Sequence, residues 1–300
     1  MTISIVGTGA LGGYYGLMLS KAGHDVHFLL RSDFEKVKKN GLYLKSNVHD
    51  DIFLENVNAY KDAAKLPKSD IVIVALKTVQ NSSILFDILS KTVDQDSIVV
   101  LIQNGLGMEQ DLSLKNPNWQ IAGGIALITC FKNEMGHIIH QDHGTLDIGN
   151  YNVKNVKLLE EFVESLQVGG ITSSLQNLNY LRWKKLVWNM AFNGLSVVYN
   201  QNTQQIISDV NHLKRCRDIM REVINAAEVC NVILPEDFID QMIVFTSKML
   251  PYSPSMKQDY DLGRPMEIEY LYKRPIEIAR EAGYPMKEAL KLYRELTKIQ

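Results

Sequence analysis

Lys185, Asn189 and Asn193 stand at i, i+4 and i+8 in "WKKLVWNMAFN" (183–193). At 3.6 residues per turn, that spacing aligns one ammonium and two carboxamides on a single stripe of one helix. Leu186, Val187, Met190, Ala191 and Phe192 surround the stripe with apolar side chains. An ammonium can neutralise a developing anion and deliver a proton, and carboxamides donate hydrogen bonds without adding charge. The same stripe also fits the solvent-facing edge of an amphipathic helix, so its meaning depends on what the rest of the chain supplies.

A second group with chemical content opens the chain. "IVGTGALGGYYG" carries Gly7-x-Gly9-x-x-Gly12, with Thr8, Ala10 and Leu11 between the glycines, directly after an apolar run and at the start of a helical pattern. Gly7 permits a tight turn, Gly9 lets the backbone approach a pyrophosphate, and Gly12 lets helix and strand pack closely. The helix N-terminus then stabilises the anion. The next strand should end about 20 residues on, where an acid would bind the ribose 2′-hydroxyl of NAD. That strand ends "FLLRSD", and the residue there is Arg31. Its planar cation suits a 2′-phosphate and points to NADP(H). The alternative is that Asp33, two residues later, binds the ribose while Arg31 is a solvated charge. Two further strand ends carry polar groups, Lys77 in "VALKTVQ" and Asn104 in "LIQNGLG". In doubly wound sheets such positions face the ligand, here the nicotinamide end of the cofactor and the substrate.

The elements that must position these groups are legible as patterns. "ISIVG" (3–7), "DVHFLL" (25–30), "IVIVAL" (71–76) and "SIVVLI" (97–102) are β-branched runs separated by helical spacing, the first helix running from about Ala10 to Ala22. Strand–helix alternation predicts an α/β fold with a parallel sheet and right-handed crossovers, and continuous apolar runs predict strands covered on both faces. Between 120 and 175, glycine-separated pieces such as "GHIIH", "GTLDIG" and "GGITSSLQ" predict a hairpin-rich extension of the sheet. Beyond Leu178 helical patterns run through 180–199, 213–230, 235–250 and 266–282. The shift near 175 predicts two domains, 1–175 and 176–300.

Composition narrows the function. Three hundred residues with a formal net charge of −2 give no footprint for nucleic acid or a membrane surface. Cys130, Cys216 and Cys230 are too few and too scattered for a disulfide framework or a zinc site. His137, His140 and His143 recur every three residues, but in a strand they would not share a face, and no metal is expected. No apolar run is long enough to span a bilayer and no signal-like stretch is evident, so the expectation is a cytoplasmic protein. Apolar faces at 213–230 and 266–282, the latter with Tyr270 and Tyr272, serve either core packing or a homodimer contact.

Together these features resemble the ketopantoate reductase family over almost the whole chain. The glycine loop, Arg31, the "LK" at 76–77 and "NGLG" at 104–107 match in order and spacing. "WKKLVWN" (183–189) is similar to the family's Trp-x-Lys-Leu-x-x-Asn, and "SMKQDYDLGRPMEIEY" (255–270) to its Ser-Met-x-x-Asp…Gly-Arg-x-x-Glu block. The resemblance implies a Rossmann domain followed by an all-helical domain like that of 6-phosphogluconate dehydrogenase, with the active site in the cleft between them. It implies NADPH-dependent reduction of a 2-keto acid, 2-dehydropantoate, to the 2-hydroxy acid in the pantothenate and coenzyme A pathway.

On this resemblance Lys185 is the catalytic lysine, and with a lysine's usual pKa of about 10.4 it is a protonated donor at neutral pH. Asn189 and Asn193 bind substrate, as do Asn104 and Ser255, and Glu267 completes the set. Ser255 and Glu267 would hold the distal hydroxyl that distinguishes this substrate from simpler 2-keto acids. Periodicity alone leaves Glu267 and Glu269 open, and the resemblance selects Glu267.

The chain departs from the family at "NGLSVVYNQNT" (193–203), where Gly194 replaces a proline. A further polar position there falls among Asn200, Asn202 and Thr203. Tyr272 and Lys273 stand where the family carries Asn-Gly or a lone glycine, which raises a changed pocket and another 2-keto acid as the alternative substrate. A non-catalytic NADPH-binding sensor is the reading from a different class, opposed by the intact polar set.

Overall fold

The computed structural model describes residues 1–80 and 84–300. Its chain forms two compact units: residues 1–103 with 109–178, and residues 104–108 with 179–300.

The first unit is built on one mixed sheet. Its elements are β1 (Thr2–Val6), α1 (Ala10–Lys21), β2 (Asp25–Leu29), α2 (Phe34–Asn40), β3 (Leu42–Ser46), β4 (Ile52–Leu54), β5 (Asn58–Tyr60), β6 (Ile71–Val74), α3 (Ile84–Thr92), β7 (Ile98–Leu101), α4 (Met108–Lys115), β8 (Gln120–Glu134), β9 (His137–Asn150), α5 (Val156–Val168) and β10 (Leu175–Gln176). The strand order is β4-β3-β9-β8-β7-β6-β1-β2-β5, with β10 beside β9. From β8 through β7, β6, β1 and β2 to β5 every neighbouring pair is parallel. The chain starts at β1, winds outward through β2 on one side, then returns to build β6 and β7 on the other. β1 is therefore the switch point of a doubly wound sheet, where ligands bind beyond the strand ends. The β-branched side chains of β6 and β7 are wholly buried, as a sheet covered on both faces requires.

The hairpin extension is β8 and β9, antiparallel strands of 15 and 14 residues with register shifts along the pair. Of "GGITSSLQ" only Leu175–Gln176 is a strand. The three histidines part company. His140 is buried with Nδ1 2.9 Å from Ser46 Oγ, His137 lies beside Glu134, and His143 takes a positive φ of 61°. Among the described residues no three His, Cys, Asp or Glu side chains gather as a metal set. The three cysteines are free thiols.

The second unit is helical: α6 (Leu178–Val198), α7 (Thr203–Ser208), α8 (Val210–Val229), α9 (Phe238–Lys248), α10 (Ser255–Asp261), a π-turn (Glu269–Lys273), α11 (Arg274–Glu281) and α12 (Lys287–Ile299). Leu186, Val187, Met190, Ala191 and Leu195 of α6 pack in one core with Ile219 and Val223 of α8 and with Leu292 and Leu296 of α12. The polar cluster after α6 has local duties. Asn202 caps α7 in a capping box with Gln205, Thr203 is fully buried, and Asn200 makes a left-handed turn at φ 52°. Among the described residues, no helix is long and apolar enough to cross a membrane.

The segment 266–282, expected as one helix, is split by Pro275. The Arg274 N–H donates to Glu269 O, five residues back, which is the π register. The next donor in that register would be Pro275 N, which carries no hydrogen. The Tyr270 carbonyl instead accepts from Leu106 N at 3.0 Å. The "NGLGM" segment at 104–108 thus completes the hydrogen bonding of the π-turn, which explains why it groups with the helical unit.

Candidate active site

Two sets of groups emerge, one in each unit. In the first unit the glycine loop follows β1 at the switch point. Gly7 has φ 99°, and a Cβ there would lie 2.8 Å from the backbone nitrogen of Leu76, just beyond β6. A Cβ on Gly12 would run into the Gly7 carbonyl oxygen. Gly9, by contrast, faces open space with nothing within 4 Å of an added Cβ, and it caps α1 with no side chain bonded to the helix N–H groups. Tight backbone on either side of an open, uncapped helix N-terminus is a fit for a pyrophosphate. Thr8 Oγ1 donates to Leu29 O at 3.0 Å, pinning the loop to the end of β2, while Ala10 and Leu11 begin α1 half-buried.

Arg31 is exposed just beyond β2. Asp33 is engaged within the protein. It is buried and accepts from Lys132 Nζ at 2.6 Å, Ser32 Oγ at 2.8 Å and Gly136 N at 3.4 Å. Burial alone would raise its pKa, but the hydrogen bonds and charge of Lys132, with Ser32 and Gly136, outweigh burial and hold the carboxyl below the usual range. That carboxylate ties α2's start to the β8–β9 hairpin. Lys77 is exposed past β6. Gln103, not singled out in the sequence, donates from Nε2 to Leu76 O at 2.7 Å and braces the ends of β6 and β7.

In the second unit α6 carries the polar stripe inside rather than on a solvated edge. Asn189 and Asn193 are 7% and 3% exposed. Lys185 keeps some exposure, yet the protein packed around its ammonium lowers its pKa to about 7. Burial is the largest cause, the nearby Arg182 guanidinium adds to it, and the Glu267 carboxylate opposes both. The ordinary lysine pKa expected from the sequence is therefore corrected: desolvation and a second cation bring this group to half-protonation near neutrality. Arg182, 3% exposed, was missed in the sequence although it stands one turn before Lys185 on the same stripe.

The two glutamates left open by periodicity differ in their surroundings. Glu267 is 7% exposed and acts on Lys185, whereas Glu269 is exposed and pairs with Lys273 Nζ at 3.0 Å. Asn193 is held at both ends. Its Nδ2 donates to Asn189 O at 3.1 Å, and its Oδ1 accepts from Met256 N at 3.1 Å, in the first turn of α10. Ser255, next to Met256, is exposed, and Asn104 is half-buried at the head of the segment that meets the π-turn. Tyr272 and Lys273 both have partners within the protein. Tyr272 is fully buried with its hydroxyl donating to Met190 O at 2.8 Å, and Lys273 is occupied by Glu269.

Residues 3–153 match the family model for ketopantoate reductase PanE/ApbA, and residues 177–300 match the model for its C-terminal part. The chain belongs to the ketopantoate reductase family. It is 42% identical to a 2-dehydropantoate 2-reductase of Nostoc sp. over 299 residues, covering 98% of this chain and 93% of that one. The crystal structure of 2-dehydropantoate 2-reductase from Geobacter metallireducens matches with a TM-score of 0.95 at 33% identity, covering 100% of both chains. The enzyme of the same description from Methylococcus capsulatus matches with a TM-score of 0.90 at 32% identity, covering 100% of this chain and 96% of that one. The mixed α/β unit followed by a helical unit is the fold of this family.

Proposed function

We propose that this chain reduces 2-dehydropantoate to the corresponding 2-hydroxy acid with NADPH, with Lys185 as proton donor. The observation that carries the reading is the half-buried lysine: an ammonium whose pKa is lowered to about 7 by burial and Arg182 against the opposing Glu267, on a helix otherwise built for a core. A lysine so placed costs stability, and such groups concentrate where a proton must move.

NADPH, when bound, supplies the hydride that reaches the keto carbon. The chain's own residues do the rest. Gly7, Gly9 and Gly12, with Thr8, Ala10 and Leu11, fit the pyrophosphate, and Arg31 fits the 2′-phosphate because Asp33 is already engaged. Lys77 and Asn104 follow the ends of β6 and β7, on the side of the sheet where the nicotinamide would lie. Lys185 neutralises the charge developing on the keto oxygen and transfers its proton there, and a donor whose pKa lies near the working pH does this efficiently. Glu267 raises the fraction of Lys185 that is charged. Asn189 and Ser255 are the donors offered to the carboxylate and distal hydroxyl, with Asn193 holding their two helices together. This is chemistry on small dissolved molecules, consistent with a cytoplasmic enzyme.

The test is NADPH oxidation by purified protein with 2-dehydropantoate, run beside 2-keto acids that lack the distal hydroxyl. Turnover that is fastest with 2-dehydropantoate supports the reading. Equal rates on the unhydroxylated acids would refute the substrate assignment.

A further inference from the structure

The Tyr272 hydroxyl touches both members of one rung of α6. It donates to the Met190 carbonyl at 2.8 Å, and its own oxygen accepts from the Gly194 N–H. Residues 190 and 194 are an i, i+4 pair, so the phenol sits on a hydrogen bond of the helix ladder itself. It can do so only because residue 194 has no side chain, since a Cβ there would lie 2.5 Å from the hydroxyl and 2.7 Å from Leu292 Cδ2. Each stripe asparagine directly precedes one member of that rung, Asn189 before Met190 and Asn193 before Gly194. Asn193 Oδ1 in turn holds the Met256 N–H beside Ser255.

We propose that Tyr272 is a positioning residue for substrate binding: its hydroxyl fixes the 190–194 rung of α6, and through Asn193 it sets the first turn of α10 and Ser255. This rests on the reductase reading above, and it deepens that reading by naming what holds the substrate donors in place. The ring is fully buried, so it acts through α6 and makes no contact with substrate itself. The side chain comes from the π-turn that follows Glu267, which makes the π-turn the element that registers α6 against α10.

The test is Tyr272→Phe, which keeps the ring and deletes the oxygen, read in two ways. Amide hydrogen exchange at Met256 reports the Asn193 bond whether or not the enzyme turns over. Steady-state kinetics report binding separately from chemistry. The expected result is faster exchange at Met256 and a KM for 2-dehydropantoate raised roughly tenfold, as for the loss of about one hydrogen bond, with kcat changed far less. Unchanged exchange at Met256 would overturn the proposal, as would faster exchange with an unaltered KM. A wild type that does not reduce 2-dehydropantoate would refute the proposed function instead, and the exchange result would then decide the positioning by itself.

Discussion

Tyr272 and Gly194 are complementary: the tyrosine hydroxyl occupies the space that a side chain on residue 194 would need, since a Cβ at that position would fall 2.5 Å from the phenol oxygen. The sequence resemblance singled out both positions separately, and in the structure they meet in the core. Gly194→Ala should therefore destabilise the helical unit by about 1–3 kcal/mol, as overpacking does. Adding Tyr272→Phe should recover part of that loss, because the nearest clash disappears and Leu292 can turn aside. Denaturant unfolding of the two single variants and the double variant measures the coupling. Strictly additive losses would show that the two residues do not act together.

Removing the proposed proton donor should be far more costly to rate than to cofactor binding. Lys185→Ala is expected to lower kcat by about a hundredfold or more, the scale of losing a general acid. The Kd for NADPH should be nearly unchanged, since the glycine loop and Arg31 are left intact. A variant with near-normal turnover would remove Lys185 from the chemistry.

The groups around Lys185 should move its titration in opposite directions. Arg182 lowers the lysine pKa, so Arg182→Met should shift the alkaline limb of kcat/KM to higher pH. Glu267 raises it, so Glu267→Gln should shift the same limb to lower pH. Shifts of the same sign in both variants would mean that charge is not what couples them to Lys185.

Cofactor choice should rest on Arg31 and not on Asp33. Arg31→Ala is expected to weaken NADPH much more than NADH. Asp33→Ala leaves Lys132 without its 2.6 Å partner and should lower the melting temperature while the NADPH preference persists. Equal weakening of both cofactors by Arg31→Ala would show that this side chain does not read the 2′-phosphate.

Within the glycine loop, fold and binding should separate. Gly12→Ala meets the Gly7 carbonyl and should disturb both melting temperature and cofactor affinity. Gly9→Ala meets open space and should leave the melting temperature near wild type while weakening NADPH. A Gly9→Ala protein that binds NADPH normally would place the pyrophosphate elsewhere.

Much of the fold was legible because its signals were local and repeated. β1, β2, β6 and β7 are unbroken β-branched runs, and α6 carries its apolar face with strict helical spacing. β3, β4 and β5 were not read, because the latter two are only three residues long and β3 lies toward the sheet's edge. α12 was passed over although Ala289, Leu292 and Leu296 mark its buried stripe, since charged residues dominate between them. The π-turn at 269–273 depends on where the orphaned Tyr270 carbonyl finds a donor, and that donor, Leu106, is more than 160 residues away in sequence.

The candidate site was legible as residue types and hidden as energetics. The stripe, the glutamate and Arg31 came from spacing and resemblance. The lowered pKa of Lys185 did not, because it is set by burial and by Arg182. The engagement of Asp33 depends on Lys132 and Gly136 across the sheet, which no local pattern announces.

The measurement that bears most directly on the proton donor is the pH dependence of kcat/KM for NADPH-dependent reduction of 2-dehydropantoate. In the proposed mechanism Lys185 acts in its charged form, and burial and Arg182 lower its pKa to about 7. The rate should therefore be full below that pH and fall as the pH rises through it. A rate that stays level until the pH nears the ordinary lysine value would contradict the desolvated, half-protonated donor at the centre of this mechanism.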